Sequence, residues 1–147
     1  MSTAKEALVK EFADPEARND YAEFLGDSWI ALQIKALRLQ RNMSQKDLAQ
    51  KAGMKQSRIS AMEQATYSQW SVSTLRRLAR AFDLALVVSF ESFGTLLEQA
   101  ASANREALQR TSFSDDPSFQ GRALQAGEIS EAAPLGKVLA SPGHPRR

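Results

Sequence analysis

Two short amphipathic patterns, joined at a glycine, occupy residues 44–64 of the chain. The first pattern places three apolar residues on one face of a helix: Leu48, Ala49 and Ala52. The second pattern places Ile59 and Met62 three positions apart on a buried side and leaves an outer face that carries no acid. The spacing therefore predicts two short helices with the polar residues collected on the second.

The ends of the first helix are marked by residues suited to helix termini. Ser44 precedes the apolar pattern and predicts an N-cap, and Asp47 three positions later completes a capping box. Gly53 follows the last apolar position, where a chain leaving a helix often needs a left-handed backbone. We therefore expect the first helix to begin at Ser44 and to end at Gly53.

Helical patterns also flank this pair. Upstream, Asp14 and Pro15 predict a helix start, and Gly26 is expected to kink or interrupt that helix before a second pattern begins. The upstream aromatic residues are expected in the core, with a partner-binding patch as the alternative: Tyr21, Phe24 and Trp29. Downstream, Ser71 predicts the cap of a helix from Val72 to Phe82, whose predicted apolar face comprises Val72, Leu75, Leu78, Ala79 and Phe82.

The periodicity changes after this helix, because residues 84–90 are rich in β-branched and aromatic residues and predict a strand. A lone strand leaves its backbone hydrogen bonds unmade. It is expected either to pair with the same strand of a second copy or to form a hairpin with the N-terminal segment. Pairing between copies would make this a dimerisation element, through Leu84, Leu86, Val88 and Phe90. Helical composition returns over residues 93–110.

Taken together, the helix pair and its flanks resemble the Cro/CI (XRE) family of helix-turn-helix regulators over residues 28–83. The resemblance rests on five positions: Leu48, Ala49, Gly53, Ile59 and Met62. It implies an all-α, five-helix phage-repressor-like domain whose second motif helix enters the major groove of double-stranded DNA. The sequence departs from the family pattern at Gln64-Ala65 and at Trp70. The resemblance therefore does not predict the geometry of the loop after that helix. The alternative is an ordinary helical hairpin without a DNA-binding role.

The resemblance also implies how the side chains divide between bases and phosphates. The base-reading residues are expected at the start and on the outer face of the second motif helix: Lys55, Gln56, Ser57, Arg58, Ser60 and Ala61. Phosphate contacts are expected from Gln45, Lys46, Arg41 and Arg58. Gln56 suits adenine and Lys55 suits guanine, because of the hydrogen-bonding groups that these bases expose in the major groove.

Charge is distributed unevenly although the whole chain carries only +2. Residues 28–82 hold ten Lys and Arg against two acids, for a net charge of +8. Residues 1–27 carry −4 and residues 83–147 carry −2. An excess of positive charge confined to the motif and its flanks favours a nucleic-acid partner for that segment.

Several other function classes lack sequence support. The chain has no cysteine, and its single histidine, His144, lies in a Pro- and Gly-rich tail, so a zinc site is not expected. No apolar run approaches the roughly 20 residues of a membrane span, and the N-terminus does not resemble a signal peptide, so we expect a cytoplasmic protein. Catalytic residue sets and phosphate-binding glycine loops are also missing, so neither an enzyme nor a cofactor is expected.

The predicted organisation has four parts: an N-terminal helical extension (1–27), the DNA-binding domain (28–83), a dimerisation element (84–110) and a disordered tail (111–147). The default for such a tail is a solubilising appendage. The resemblance to the antitoxin branch of the family implies instead that four apolar residues of the tail serve as anchors on a toxin: Phe113, Phe119, Leu124 and Ile129. The leading function is a transcriptional repressor that binds DNA as a homodimer. Two alternatives on the same fold are an antitoxin that binds a toxin and represses its own operon, and a protein-interaction adaptor.

Overall fold

Seven α-helices lie within residues 3–120, the part of the chain that the computed structural model describes. They are α1 (Thr3–Glu11), α2 (Pro15–Gln40), α3 (Gln45–Ala52), α4 (Gln56–Met62), α5 (Val72–Ala81), α6 (Phe93–Ala101) and α7 (Arg105–Leu108). All seven belong to one compact unit, and a short 3-10 helix, Phe113–Asp115, belongs to a second unit that begins at Phe113. The predicted all-α fold class is confirmed.

Helix α2 is longer than the sequence predicted. Asp14 caps its N-terminus by accepting a hydrogen bond from the Glu16 N–H, and Pro15 occupies the first turn, as expected. The helix is continuous over all 26 residues from Pro15 to Gln40, so the interruption predicted at Gly26 was wrong. A glycine inside a helix costs only about 1 kcal/mol relative to alanine, and the packing of residues on both sides outweighs that cost.

Both predicted ends of α3 are confirmed. The Ser44 hydroxyl accepts a hydrogen bond from the Asp47 N–H at 3.0 Å, and the Asp47 carboxylate accepts one from the Ser44 N–H at 2.8 Å. At the other end, Gly53 has a left-handed backbone with φ of 65°. Arg77 of α5 donates to the carbonyl oxygens of Ala52 and Gly53, so the end of α3 is also bound to α5.

The core lies where α2, α3, α4 and α5 meet. Its largest fully buried side chains are Leu48, Ile59, Met62 and Leu78, which come from α3, α4 and α5. On α5 the observed buried face differs from the predicted one, since Thr74 is buried and Val72 is exposed. The buried face is centred on Thr74, Leu78 and Phe82, which follow one another at helical spacing, and Val72 lies beyond the edge of that face.

The strand predicted over residues 84–90 is not formed in the single chain, where residues 84–92 have neither helix nor strand. Val87 and Val88 are 81% and 69% exposed, and Phe90 is also fully exposed. The alternative hairpin with the N-terminal segment was wrong, because Thr3–Glu11 is helical. A strand takes its ladder hydrogen bonds from a neighbour, and no other strand occurs within residues 3–120 to supply them.

The helix predicted over residues 93–110 is divided into α6 and α7, and Asn104 caps the start of α7. The end of α7 returns to α2, where Leu108 is buried and its carbonyl oxygen accepts a hydrogen bond from Gln33 at 3.2 Å. Beyond it, the Phe113 and Phe119 rings lie 4.8 Å apart in the second unit. The predicted anchors Leu124 and Ile129 lie outside the described residues.

Aromatic side chains join α1, α2 and α6. The Phe12 ring, just after α1, meets Tyr21 of α2 and Phe93 of α6 edge to face, at centroid distances of 5.2 and 5.8 Å. Arg18 donates to the Phe12 carbonyl oxygen and lies over the Phe93 ring. Of the three aromatics expected in the core, Tyr21 and Trp29 are partly buried, whereas Phe24 is exposed.

Candidate nucleic-acid interface

A buried ion pair fixes the position of α4 relative to α2. Arg38 binds both carboxylate oxygens of Glu63, with Nε–Oε1 at 2.5 Å and Nη2–Oε2 at 3.0 Å. Its third nitrogen donates to the Met43 carbonyl oxygen at 2.9 Å, just before α3 begins. The hydrogen bond with Glu63 is the main cause that raises the pKa of the Arg38 guanidinium. Both ends of the helix pair are therefore anchored by one charged group.

The second motif helix, α4, presents its polar residues to solvent as predicted. Lys55 stands at its N-cap without a side-chain capping bond, and Gln56, Ser57 and Arg58 follow in the first turn. All four residues are exposed, and so is Ala61, whereas Ser60 is half-buried. On the opposite side Ile59 and Met62 are fully buried, so the helix is held in one orientation. Five of the six predicted base-reading residues thus share an accessible surface.

One of these residues is also tied to the next helix. The Arg58 Nη2 donates to the Thr74 hydroxyl oxygen at 2.9 Å, and Thr74 is only 6% exposed. The same oxygen accepts a second hydrogen bond, from the Ser71 hydroxyl at 2.8 Å. Ser71 in turn caps α5 by accepting from the Thr74 N–H. The first turn of α4 and the first turn of α5 are therefore linked through polar side chains.

The residues predicted to contact phosphate are found in different environments. Lys46 is exposed in the first turn of α3. Gln45 is half-buried and donates to the Glu63 carboxylate at 3.0 Å, so one N–H of its amide is already used. Arg41 is directed elsewhere, since its guanidinium donates to the carbonyl oxygens of Phe82 and Arg110 and to the Gln40 side chain. Lys46 has the greatest freedom of the three to meet a phosphate.

Both acids of the basic segment are bound to groups of the same segment. Glu63 is paired with Arg38 as described above. Asp47 accepts a hydrogen bond from the Ser44 N–H, and this bond is the main cause that lowers the pKa of its carboxyl group. Neither carboxylate lies within the exposed outer face of α4. The surface around α4 is therefore positive and free of acids on the helix itself, as phosphate binding requires.

The loop between α4 and α5, where the sequence departs from the family pattern, is packed on the rest of the unit. Tyr67 and Trp70 meet edge to face at 4.6 Å, and both rest against the core. The Ser28 hydroxyl of α2 donates to the Ala65 carbonyl oxygen at 3.3 Å. The aromatic pair thus holds the loop against the hydrophobic core.

Two residues with structural roles at this surface escaped the sequence reasoning. The sequence indicates a negative charge at Glu63 but no partner for it, and it predicts no role for Thr74. Their partners lie 25 and 16 residues away in the sequence, and such long-range pairs have no local periodicity. The one available signal was that a lone acid next to a buried Met62 needs a positive partner.

Residues 34–88 match the family model described as helix-turn-helix. The match begins in α2, includes α3, α4 and α5, and extends to Val88 in the segment after α5. Residues 34–88 form a helix-turn-helix domain of the Cro/CI (XRE) type. Within this XRE domain α3 and α4 are the helix pair, and α4 is the recognition helix. No curated protein and no solved structure matches the chain at a significant level.

XRE domains are DNA-binding regulatory modules and do not form an enzyme family, so the protein is a DNA-binding regulator. The recognition helix has the buried and exposed sides that this activity requires. No helix within residues 3–120 combines the length and the apolar character needed to cross a membrane. The helix-turn-helix domain thus gives the protein its DNA-binding function.

Proposed function

We propose that the protein is a sequence-specific transcriptional repressor that binds double-stranded DNA as a homodimer. The observation that carries the proposal is the first turn of α4, where Lys55, Gln56, Ser57 and Arg58 are exposed together above the fully buried Ile59. A helix held by its buried side can present this turn to the major groove without rearrangement. The net charge of +8 on residues 28–82 supplies the attraction to phosphate.

Base recognition is assigned to the outer face of α4. The Gln56 amide can bind adenine N6 and N7 with two hydrogen bonds, and Lys55 can donate to guanine O6 or N7. Ser57 suits either kind of partner, and Arg58 suits guanine through the free edge of its guanidinium. One turn further on, Ser60 and Ala61 add a polar or a thymine-methyl contact.

Phosphate binding is assigned to the residues around the start of α3. Lys46 is exposed there, and Gln45 keeps one amide hydrogen for a phosphate while the other is bonded to Glu63. The positive end of the α4 dipole lies at Lys55 and adds to the attraction. Arg41 contributes positive charge, since its side chain is bonded to backbone carbonyls.

Dimerisation is assigned to the segment after α5. Residues 84–90 are apolar at six of seven positions, and Val88 and Phe90 are exposed in the single chain. A second copy of the same segment can provide the missing ladder of hydrogen bonds and cover these side chains across a two-fold axis. Such a dimer would also present two recognition helices to two half-sites of a palindromic operator.

The DNA-binding part is tested by selecting a preferred site from random duplexes and measuring the affinity of variants. Gln56→Ala is expected to weaken binding to the selected site by about 1–3 kcal/mol and to leave binding to random DNA nearly unchanged. Lys46→Ala is expected to weaken both alike and to reduce the salt dependence. Lys35→Ala, at an exposed lysine of α2, is the matched charge control. Equal losses on both DNAs for Gln56→Ala would contradict its base-reading role.

The dimer is tested by analytical ultracentrifugation at micromolar concentration, with and without DNA. Val88→Asp is expected to give monomers, because it places a charge in the proposed intermolecular sheet. Val9→Asp makes the same substitution at an exposed valine of α1 and is expected to leave the dimer intact. A wild-type protein that is monomeric both alone and on DNA would refute the assignment.

The repressor assignment is tested by transcription in vitro from a promoter that contains the selected site. The wild-type protein is expected to reduce transcript yield, and Gln56→Ala is expected to restore it at equal protein concentration. An increase in transcript with the wild-type protein would indicate an activator instead.

A further inference from the structure

The side chain of Arg58 is held by a residue outside the recognition helix. Its Nη2 atom lies 2.9 Å from the Thr74 hydroxyl oxygen, and Thr74 is the only described residue to which Arg58 donates a hydrogen bond. Arg58 is exposed, whereas Thr74 is 6% exposed and belongs to α5. An exposed arginine in the reading turn is thus fixed from behind by a buried hydroxyl group.

The hydroxyl oxygen that holds Arg58 is itself fixed in place. The Ser71 hydroxyl donates to it at 2.8 Å, so this oxygen accepts two hydrogen bonds, which is the usual capacity of a hydroxyl group. The Thr74 backbone N–H donates to the Ser71 hydroxyl oxygen at 3.2 Å, which closes a small ring of hydrogen bonds at the start of α5. Because Thr74 is buried, water has little access to its hydroxyl oxygen and competes poorly with Arg58 for that acceptor.

We infer that Thr74 is a specificity-determining positioning residue, which orients Arg58 so that the rest of its guanidinium meets one base pair of the operator. This inference rests on the proposed base-reading role of Arg58. The bond to Thr74 uses one N–H of Nη2, so further N–H groups of the planar guanidinium are left for the two acceptors of guanine. Thr74 therefore acts on DNA through Arg58, without contact of its own.

The expected effect follows from the freedom of a long side chain. Arginine has many rotamers, and immobilising such a side chain on binding costs enough to change affinity by about 2- to 10-fold. In the wild-type protein the bond to Thr74 restricts the side chain before DNA arrives. Its removal should therefore reduce the preference for the base pair that Arg58 contacts and leave other positions unchanged.

Two substitutions separate the hydrogen bond from the packing. Thr74→Val keeps the branched shape and removes both acceptor sites, whereas Thr74→Ser keeps the hydroxyl and removes a methyl group. The affinities of the full chain are measured on the selected site and on single base-pair variants of it. Thr74→Val is expected to lose about 2- to 10-fold of discrimination at the position that Arg58→Ala also relaxes. Thr74→Ser is expected to retain it.

A double-mutant cycle shows whether the effect passes through Arg58. In the Arg58→Ala background, Thr74→Val is expected to cause no further change in discrimination. A second change of full size in that background would overturn the inference, because Thr74 would then act by another route. An equal loss of affinity on every sequence would also overturn it, since Arg58 would then be a phosphate contact.

The orientation of Arg58 can be measured without DNA. The guanidinium signals of Arg58 in ¹⁵N-edited NMR spectra are expected to show restricted motion in the wild-type protein and increased motion in Thr74→Val. Equal mobility in both proteins would refute the positioning role. Restricted motion in a wild-type protein that shows no base preference at any position would refute the proposed function instead, so the two failures are distinguishable.

Discussion

The contribution of the buried ion pair Arg38–Glu63 to the free energy of unfolding can be tested by replacing either partner. The side chains of Arg38 and Glu63 are 10% and 3% exposed, and two hydrogen bonds join them. Glu63 accepts a third hydrogen bond from Gln45. If Arg38 is replaced by methionine, a buried carboxylate loses its counter-charge and two of these three hydrogen bonds. We expect a loss of about 3–5 kcal/mol in the free energy of unfolding.

Replacement of the other partner should cost less. Glu63→Gln keeps the shape and removes the charge, and Arg38 still donates to the Met43 carbonyl oxygen and is closer to solvent. Loss of a charge-assisted hydrogen bond is worth about 1.5–3 kcal/mol, which is our expectation for this variant. The double variant Arg38→Met with Glu63→Leu replaces both partners by apolar groups and should lie within about 1 kcal/mol of the wild-type protein.

Urea denaturation at pH 7, followed by the helical circular-dichroism signal, measures these differences. Lys35→Met, at an exposed lysine of the same helix, controls for the substitution itself and should change the free energy of unfolding by less than about 0.5 kcal/mol. The reasoning would be refuted by single variants that each cost less than about 1 kcal/mol. It would also be refuted by a double variant whose cost equals or exceeds that of Arg38→Met alone.

Two further predictions concern the glycines and the capping box. Gly53→Ala should destabilise the domain by about 1–2 kcal/mol, because φ is 65° and a Cβ would lie 3.4 Å from an Arg77 nitrogen. Gly26→Ala, within helix α2, should stabilise the domain by about 0.5–1 kcal/mol, because the added Cβ would have no neighbouring atom within 4 Å. If the urea midpoints of Gly53→Ala and Gly26→Ala shifted in the same direction, these two predictions would be contradicted. Asp47 should titrate below its ordinary value of 3.8, so its stabilising contribution is present above that pH and lost as the pH falls through the folded-state pKa. An NMR titration in which the Asp47 carboxyl and the Ser44 amide share a midpoint at or above 3.8 would show the opposite.

The sequence was most informative where a few neighbouring residues determine the structure. The Ser44–Asp47 capping box and the left-handed Gly53 depend on backbone groups within three or four positions, and both were predicted correctly. The burial of Ile59 and Met62 follows from helical periodicity in the same way. These local features were sufficient to locate the helix pair and its outer face.

Features that depend on distant partners could not be predicted. The Arg38–Glu63 and Arg58–Thr74 pairs join residues on different helices, and nothing in the spacing of either pair indicates the contact. The continuity of α2 through Gly26 does not follow from the low helix propensity of glycine, because it depends on the packing of the residues on both sides. The strand at 84–90 was predicted from β-branched composition, which cannot supply the partner that a strand needs.

The position of Arg41 has a consequence for how the molecule can be altered. One guanidinium binds the carbonyl oxygens of both Phe82 and Arg110, so the intervening residues leave and return at nearly the same point. Within this segment, residues 84–92 form neither helix nor strand, so residues can be added there while both anchors stay in place. Doubling the length of a flexible loop adds only about 0.6 kcal/mol to its closure cost. In the proposed dimer, the distance between half-sites and the choice of bases would therefore be separately adjustable.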